Sequence, residues 1–223
     1  MRGIADWIRR VPSAMLVFAQ LVSILLYPFL GGHLFGRIVL AVISVVIVLI
    51  AVWVVRRTPT LTWVAATLAA PALVFGVVDA VTPGVMWTTV VAGVFHVLFY
   101  FYVTWSLVAY LFHDVQVTLD ELFATLAAFT VVVWAFGYLF LLTETFWPGS
   151  FTLIADSGNS FFSALFLSVT TLTSVGLSDI VPASDQGRAI MMIGEIVGLF
   201  YMAIIVSRII SISVAVANRR RRD

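Results

Sequence analysis

Long apolar runs separated by short polar connections dominate the sequence. Six runs are long enough, at about 1.5 Å per residue, to cross the roughly 30 Å apolar core of a bilayer as helices. They cover residues 11–30, 38–55, 58–78, 88–112, 122–143 and 188–217. Only 10% of the 223 residues are charged, whereas a soluble domain has about 25%. The pattern predicts an all-α membrane protein with six transmembrane helices.

The first run has an alternative interpretation. It follows a short basic segment, residues 1–10, as the apolar part of a secretory signal peptide does. The run is long for a signal peptide, and no cleavage site of small residues follows it cleanly. We therefore interpret it as a first transmembrane helix.

The arginines predict the orientation of these spans. All 12 basic residues are arginine, which favours a GC-rich prokaryotic source. Cytoplasmic loops near span ends carry an excess of basic residues. Most of the arginines fall on one predicted side, namely Arg2, Arg9, Arg10, Arg56, Arg57, Arg208 and Arg219 to Arg222. Because only Arg37 and Arg188 fall on the other side, we expect a multi-pass cell-membrane protein with both termini in the cytoplasm.

One polar run interrupts the pattern between the fifth and sixth spans. Residues 170–182 are rich in hydroxyl and turn-forming residues, and the segment before them, 159–173, is too short to span a bilayer. In lipid, non-helical backbone is tolerated only where protein buries it or water reaches it. The run therefore predicts a re-entrant segment that lines a pore.

The residues of this run resemble a known filter. Thr173-Ser174-Val175-Gly176-Leu177-Ser178-Asp179 is similar to the selectivity filter of tetrameric potassium channels, usually Thr-Thr-Val-Gly-Tyr-Gly-Asp. The resemblance extends from 160 to 210 without a gap. The flanking residues that fit the same register are Ala164, Leu165 and Phe166 before the filter, and Pro182, Gly187, Arg188 and Gly198 after it.

This resemblance implies a division of the chain. Residues 1–112 would form a four-helix domain like a voltage-sensor scaffold, followed by an amphipathic linker (113–121), a pore domain (122–218) and a basic tail (219–223). The pore domain would contain a pore helix at 159–173, a filter at 174–179 and an inner helix at 188–217. One chain supplies one filter strand and has no internal repeat of it. We therefore expect a homotetramer around a central pore.

The resemblance also implies the ion ligands. Backbone carbonyls would replace the hydration shell of K⁺, and they belong to Ser174, Val175, Gly176 and Leu177. The segment extends from Thr173 to Ser178, with the Ser174 hydroxyl as the innermost ligand. Permeant K⁺ is then the only bound group expected, with no cofactor and no nucleic-acid partner.

Acidic residues are expected at the outer mouth of this filter. Asp179, with Asp156 and Asp185 nearby, would place negative charge there in four copies and concentrate cations. The C-terminal end of the predicted pore helix would also favour a cation through its dipole.

The filter departs from the family pattern in its outer half. Leu177 and Ser178 stand where the family has Tyr and Gly, and Phe166 and Leu167 stand where it has a Trp pair. The usual hydrogen-bonded brace is therefore missing, and we expect an apolar contact between Leu167 and Leu177 to replace it. A positive φ at Ser178 would cost about 1–2 kcal/mol. We expect the outermost filter to depart from the four-site potassium geometry.

The sixth span carries the predicted hinge and gate. Gly194 and Gly198 form a small-xxx-small pair, which serves helix packing, while Gly198 matches the hinge of the family. Residues below it recur at helical spacing and either line the pore or face lipid and core: Met202, Ile205, Val206 and Ile209.

Glu195 is the one acidic residue inside a predicted span. Intramembrane acids are rare and usually partnered, so we expect Glu195 to brace the filter through Thr170 or Thr171. At the end of the chain, Arg219, Arg220, Arg221 and Arg222 either bind anionic lipid or simply fix the topology.

The expected function is a potassium-selective cation channel. Run 88–112 has no arginine, so a voltage sensor of the arginine type is not predicted, and its His96 is expected to be a buried or interfacial residue rather than a pH sensor. Alternatives are a channel of other or no cation selectivity, and a non-conducting channel-like subunit. An enzyme is not expected, because no catalytic or metal-ligand cluster appears.

Overall fold

The computed structural model describes residues 11–30, 34–82, 84–113, 119–152, 154 and 160–220. Within them lie seven helices, numbered here in chain order: α1 Pro12–Leu30, α2 Leu34–Val55, α3 Thr62–Val81, α4 Met86–His113, α5 Leu119–Phe146, α6 Ser160–Leu172 and α7 Asp185–Arg220. Six are long and apolar enough to cross a membrane, and the exception is α6 with 13 residues. The six predicted spans are confirmed at this level.

The boundary between linker and fifth helix differs from the prediction. Asp120 and Glu121 lie in the first turn of α5, where acidic side chains favour a helix N-terminus. The helix therefore starts before the predicted residue 122. Several predicted features fall outside the described residues, namely Asp156, the first residue of the predicted pore helix Asn159, and Arg2, Arg9, Arg10, Arg221 and Arg222.

Helix α5 is the centre of the subunit. It packs against α1 and α4 on one side and against α6 and α7 on the other. Fully buried alanines, among them Ala124, Ala127 and Ala128, allow this close approach. Of the most apolar stretch of α5, 67% is buried, compared with 17% in α7. Most of α7 is thus free to contact lipid or other subunits.

Two hydrogen bonds attach α1 to α5. The Thr130 hydroxyl donates to the side-chain oxygen of buried Gln20 at 2.7 Å, and the Ser13 amide donates to Asp120 at 3.2 Å. Buried polar groups need such partners because an unpaired group inside an apolar region is costly. The four-helix part of the chain is therefore tied to the helix that supports the candidate site.

Exposed tryptophans lie near the helix ends. Trp87 and Trp147 lie near one end of the bundle, and Trp63 and Trp105 lie toward the opposite end. Tryptophan is enriched at both interfaces of a membrane because its ring is apolar and its N–H is polar. The arrangement is typical of a membrane-embedded helix bundle.

Candidate functional site

Helix α6 is anchored on α5. The buried Ser168 hydroxyl donates to the Val133 carbonyl at 2.8 Å, and Leu165 lies over Gly137, where an added Cβ would be 3.2 Å from a Leu165 methyl. Leu167 and Leu172 are also fully buried. These contacts fix the position from which the chain leaves α6.

The two glycines of α7 face α6. A Cβ on Gly198 would overlap the carbonyl oxygen of Leu172, the last residue of α6, and a Cβ on Gly194 would lie 3.1 Å from the Thr171 methyl. Helix α7 continues through both positions. The packing role expected for this pair is therefore observed, and the hinge at Gly198 stays a prediction.

A capping motif ends α6. Ser174 has a left-handed φ of 56°. Its N–H donates to the Thr171 carbonyl at 3.0 Å, and the Val175 N–H donates to the Thr170 carbonyl at 3.2 Å. This pair of bonds is the Schellman arrangement, which most often uses glycine at the left-handed position. Ser174 thus adopts a strained conformation in order to turn the chain out of the helix.

The predicted site of strain in this segment was wrong. Among the described non-glycine residues the positive φ falls on Ser174, and Ser178, where we expected it, does not have one. Gly176 has a φ of 66°, which glycine adopts freely. The cause is the helix cap, which sets the backbone at the start of the segment rather than at its end.

Residues 174–177 form an exposed strip directly after the cap. Side-chain exposure reaches 58% for Val175 and 76% for Leu177. The carbonyl oxygens of Ser174, Val175 and Leu177 accept no hydrogen bond from the described residues, whereas the Gly176 carbonyl accepts one from the Ser178 N–H at 3.0 Å. Unpaired carbonyls need water or an ion as partner.

The predicted apolar brace between Leu167 and Leu177 is wrong for a single subunit. Leu167 is fully buried against the core, while Leu177 is largely exposed. Phe166, another of the predicted support residues, is also exposed. Because the Leu177 side chain points away from the subunit, it cannot hold the segment against α6 of its own chain.

The outer loop braces the segment instead. The Thr152 N–H donates to the Val181 carbonyl at 3.0 Å, and the Val181 N–H donates to the Thr152 hydroxyl at 2.9 Å. The Thr152 hydroxyl also lies 3.3 Å from the Asp179 carbonyl. Phe151 and Pro182 form an antiparallel bridge within this pairing. The chain after the exposed strip is therefore held by hydrogen bonds to the outer loop at Thr152.

Glu144 anchors that loop, and the sequence analysis missed it. Its carboxylate is 6% exposed and accepts two backbone N–H groups, from Gly149 at 2.6 Å and from Phe151 at 2.9 Å. Hydrogen bonds to an ionised acceptor are among the stronger ones in proteins. The available sequence signal was an acid at the end of an apolar span, just before a Pro-Gly turn.

Glu195 does not reach the residues assigned to it. It is exposed on α7, and its neighbour Gly194 is the residue that faces Thr171. The Thr170 hydroxyl donates to the Leu167 carbonyl at 3.0 Å, and the buried Thr171 hydroxyl has no hydrogen-bond partner among the described residues. The predicted brace through Glu195 is thus not formed within one subunit.

The remaining predicted residues lie around the exposed strip. The Thr173 hydroxyl donates back to the Val169 carbonyl at 2.7 Å. Asp179 is exposed, and Asp185 pairs with Arg188 at 3.3 Å at the start of α7. These acidic groups lie on the predicted outer side.

On α7, Met202 and Val206 are exposed and Ile205 is half-buried, while the Ile209 side chain lies outside the described part. Tyr201 is buried on the opposite face, and its hydroxyl donates to the Thr125 carbonyl of α5. The lower half of α7 is therefore held to α5 by one face and exposes another.

Comparison with known proteins gives one family match. Residues 124–214 match the model of a protein family described as ion channel. No curated protein and no solved structure matched the chain. The matched region contains nearly all of α5, all of α6, the exposed strip and most of α7. All the predicted filter, support and gate residues thus lie inside the region that resembles this ion channel family, and α1 to α4 lie outside it.

Proposed function

We propose that this protein is one subunit of a homotetrameric, potassium-selective cation channel. The ion channel match over residues 124–214 supports the general class. The selectivity for K⁺ rests on the resemblance of Thr173 to Gly176 to the inner half of the potassium filter. Conduction is passive, and K⁺ is the permeant ion.

The exposed strip after α6 is the observation that carries this proposal. The carbonyls of Ser174, Val175 and Leu177 lack donors within the described subunit and lie on an exposed surface. Rings of such carbonyls can replace the hydration shell of a cation, and adjacent weak sites let ions displace one another. The strip offers the chemistry that a cation pathway requires.

Four subunits complete such a ring. A single strip can surround only part of an ion, and α7 exposes a broad apolar surface that includes Met192, Ile193, Ile196, Leu199 and Phe200. In the tetramer one part of this surface packs on neighbouring subunits, and the part with Met202 and Val206 lines the pore below the filter. Met202, Ile205, Val206 and Ile209 then form the inner gate.

The charges around the strip favour cations. Helix α6 ends at the strip, so the negative end of its dipole points toward the ion pathway. Asp179 from each subunit adds negative charge at the outer mouth, where it raises the local cation concentration. We place the protein in the cell membrane with both termini cytoplasmic, and we assign Arg219 to Arg222 to contact with anionic lipid.

A non-selective cation channel is the second candidate. One observation favours it: the Gly176 carbonyl, one of the four assigned ligands, accepts the Ser178 N–H at 3.0 Å. The strip is therefore bent at its outer end rather than fully extended. Fewer carbonyl rings would discriminate less between K⁺ and Na⁺.

The variant Gly176→Ala tests the assignment of the strip. The φ of 66° strains any residue with a Cβ, while no atom lies within 4 Å of the added methyl. We expect K⁺ flux into proteoliposomes to fall by about tenfold or more, because about 1–2 kcal/mol of strain per subunit distorts all four strips. Gly84→Ala is the matched control, with a φ of 86° and equally open space. Equal flux in both variants would contradict the assignment.

A further inference from the structure

A large cavity is lined mostly by helices that lie outside the region of the family match. Its volume is about 650 Å³, and it is a partly open cavity lined by α1, α2, α3 and α4 together with α5 and the first residues of α6. The exposed strip 174–177 does not line it. Sites for small molecules typically have volumes of about 300–1,000 Å³. The cavity is therefore large enough for a small organic ligand.

Two opposite charges line this cavity without pairing. Arg37 projects from α2 and Asp79 from α3. Asp79 accepts the hydroxyls of Thr89 at 2.5 Å and Thr88 at 3.2 Å. Within the described residues the ion pair is Arg188–Asp185, so neither Arg37 nor Asp79 has an ionic partner. Half-buried charges of this kind gain from a ligand that carries both complementary groups.

Aromatic rings form part of the wall, beside aliphatic side chains of α2 and α3. The His96 ring stacks on Tyr138 with centroids 4.3 Å apart. Its Nδ1 lies 2.7 Å from the Ala92 carbonyl, which only accepts, so Nδ1 carries a proton. Trp134 and Phe161 also line the cavity. This aromatic part of the lining suits an apolar or aromatic side chain.

We propose that this cavity binds a small zwitterion of the α-amino acid class with an aromatic or large aliphatic side chain. The carboxylate of the ligand pairs with Arg37, its ammonium group pairs with Asp79, and its side chain packs among the rings. A simple amine would leave Arg37 unpaired, and a simple carboxylate would leave Asp79 unpaired. A ligand that carries both groups is therefore the one that pairs both charges of the cavity.

The occupant would contact residues that support α6. The ring centroids of Tyr138 and Phe161 are 4.4 Å apart, and those of the stacked rings of Tyr27 and Phe162 are 5.4 Å apart. Both phenylalanines belong to the first turn of α6. Ligand binding at this place can therefore change how α6 packs on its neighbouring helices. Any effect on conduction rests on the proposed channel function, whereas binding itself does not.

Calorimetric titration of the purified full-length protein in nanodiscs tests this site. The probes are L-phenylalanine, L-leucine, phenethylamine without a carboxylate and 3-phenylpropanoate without an ammonium group. We expect L-phenylalanine to bind about tenfold or more tightly than either single-charge analogue, because each analogue loses one charged hydrogen-bonded contact. Equal affinity for L-phenylalanine and its analogues, or no saturable binding of either amino acid, would overturn the proposal.

Charge-neutralising variants locate the site. Asp79→Asn should remove the preference for L-phenylalanine over 3-phenylpropanoate, and Arg37→Gln should remove its preference over phenethylamine. The matched controls Asp185→Asn and Arg188→Gln alter an exposed pair outside the cavity and should keep both preferences. Loss of preference in the controls, or its retention in both cavity variants, contradicts the site. A protein that binds L-phenylalanine but carries no ion current would contradict only the channel function.

Discussion

Ser174 caps α6 and is also one of the residues that we propose as ion ligands. A left-handed φ at a residue with a Cβ costs about 1–2 kcal/mol, and glycine avoids that cost. Glycine also loses more backbone entropy on folding, by roughly 0.5–1 kcal/mol. The serine is thus tolerated in the cap. We propose that serine is present there because its hydroxyl serves as the innermost ion ligand.

The substitution Ser174→Gly should stabilise the subunit by about 0.5–1 kcal/mol, the difference between relieved strain and added chain entropy. The matched control is Ser178→Gly, at a residue without a positive φ whose hydroxyl accepts the Ile180 N–H at 3.0 Å. We expect this control to destabilise. Chemical unfolding in detergent measures both. The reverse order of stabilities would place the strain at Ser178.

Glu144→Gln should loosen the outer loop. The amide keeps one acceptor oxygen but presents an NH₂ group to the second backbone N–H, which leaves buried donors unpaired at a cost of about 1–3 kcal/mol. We expect faster hydrogen exchange at Gly149 and Phe151 and weaker ion selectivity. Glu195→Gln, at an exposed acid, is the control. An equal effect of the two variants would mean that Glu195 is also buried in the assembly.

At the level of helices, Gly198 distinguishes packing from hinge motion. In Gly198→Ala the added methyl overlaps the Leu172 carbonyl oxygen, so α7 must move away from α6. We expect a loss of about 1–3 kcal/mol, typical of overpacking. Gly194→Ala, whose methyl would meet only side chains, should cost less. Thermal unfolding checks this order. A stable Gly198→Ala channel that stays closed would favour the hinge.

The helices could be predicted from the sequence, whereas the contacts that hold the exposed strip in place could not. Each span is an apolar run, so hydropathy alone located all six. The pairing of Thr152 with Val181 joins residues that are distant in sequence, and the anchoring of the loop by Glu144 depends on how the chain folds back after α5. The cap at Ser174 depends on where α6 ends, to within one residue. No local pattern specifies such contacts.

The same difference applies to Glu195 and Leu177. The rarity of an acid inside a span predicted a partner for Glu195, and an apolar side chain predicted packing for Leu177. Both are exposed in one subunit. Sequence indicated that the residues are unusual. The direction of Glu195 depends on how α7 packs on α6 through its two glycines, and that of Leu177 depends on the cap at Ser174.

At the level of the whole molecule, orientation can be tested directly because the chain has no cysteine. Pro59 and Pro148 are exposed in connections at opposite ends of the bundle. A membrane-impermeant maleimide should label Pro148→Cys in intact cells and should label Pro59→Cys only after permeabilisation. The reverse pattern would invert the topology inferred from the arginines.

The central claim is that residues 174–177 of four subunits conduct K⁺ selectively. Its most direct test is the reversal potential of single-channel currents from purified protein in planar bilayers, with K⁺ on one side and Na⁺ on the other. We expect a reversal potential that is strongly displaced toward the K⁺ equilibrium potential. Reversal near zero would contradict potassium selectivity. The absence of single-channel currents from folded, tetrameric protein would contradict conduction itself.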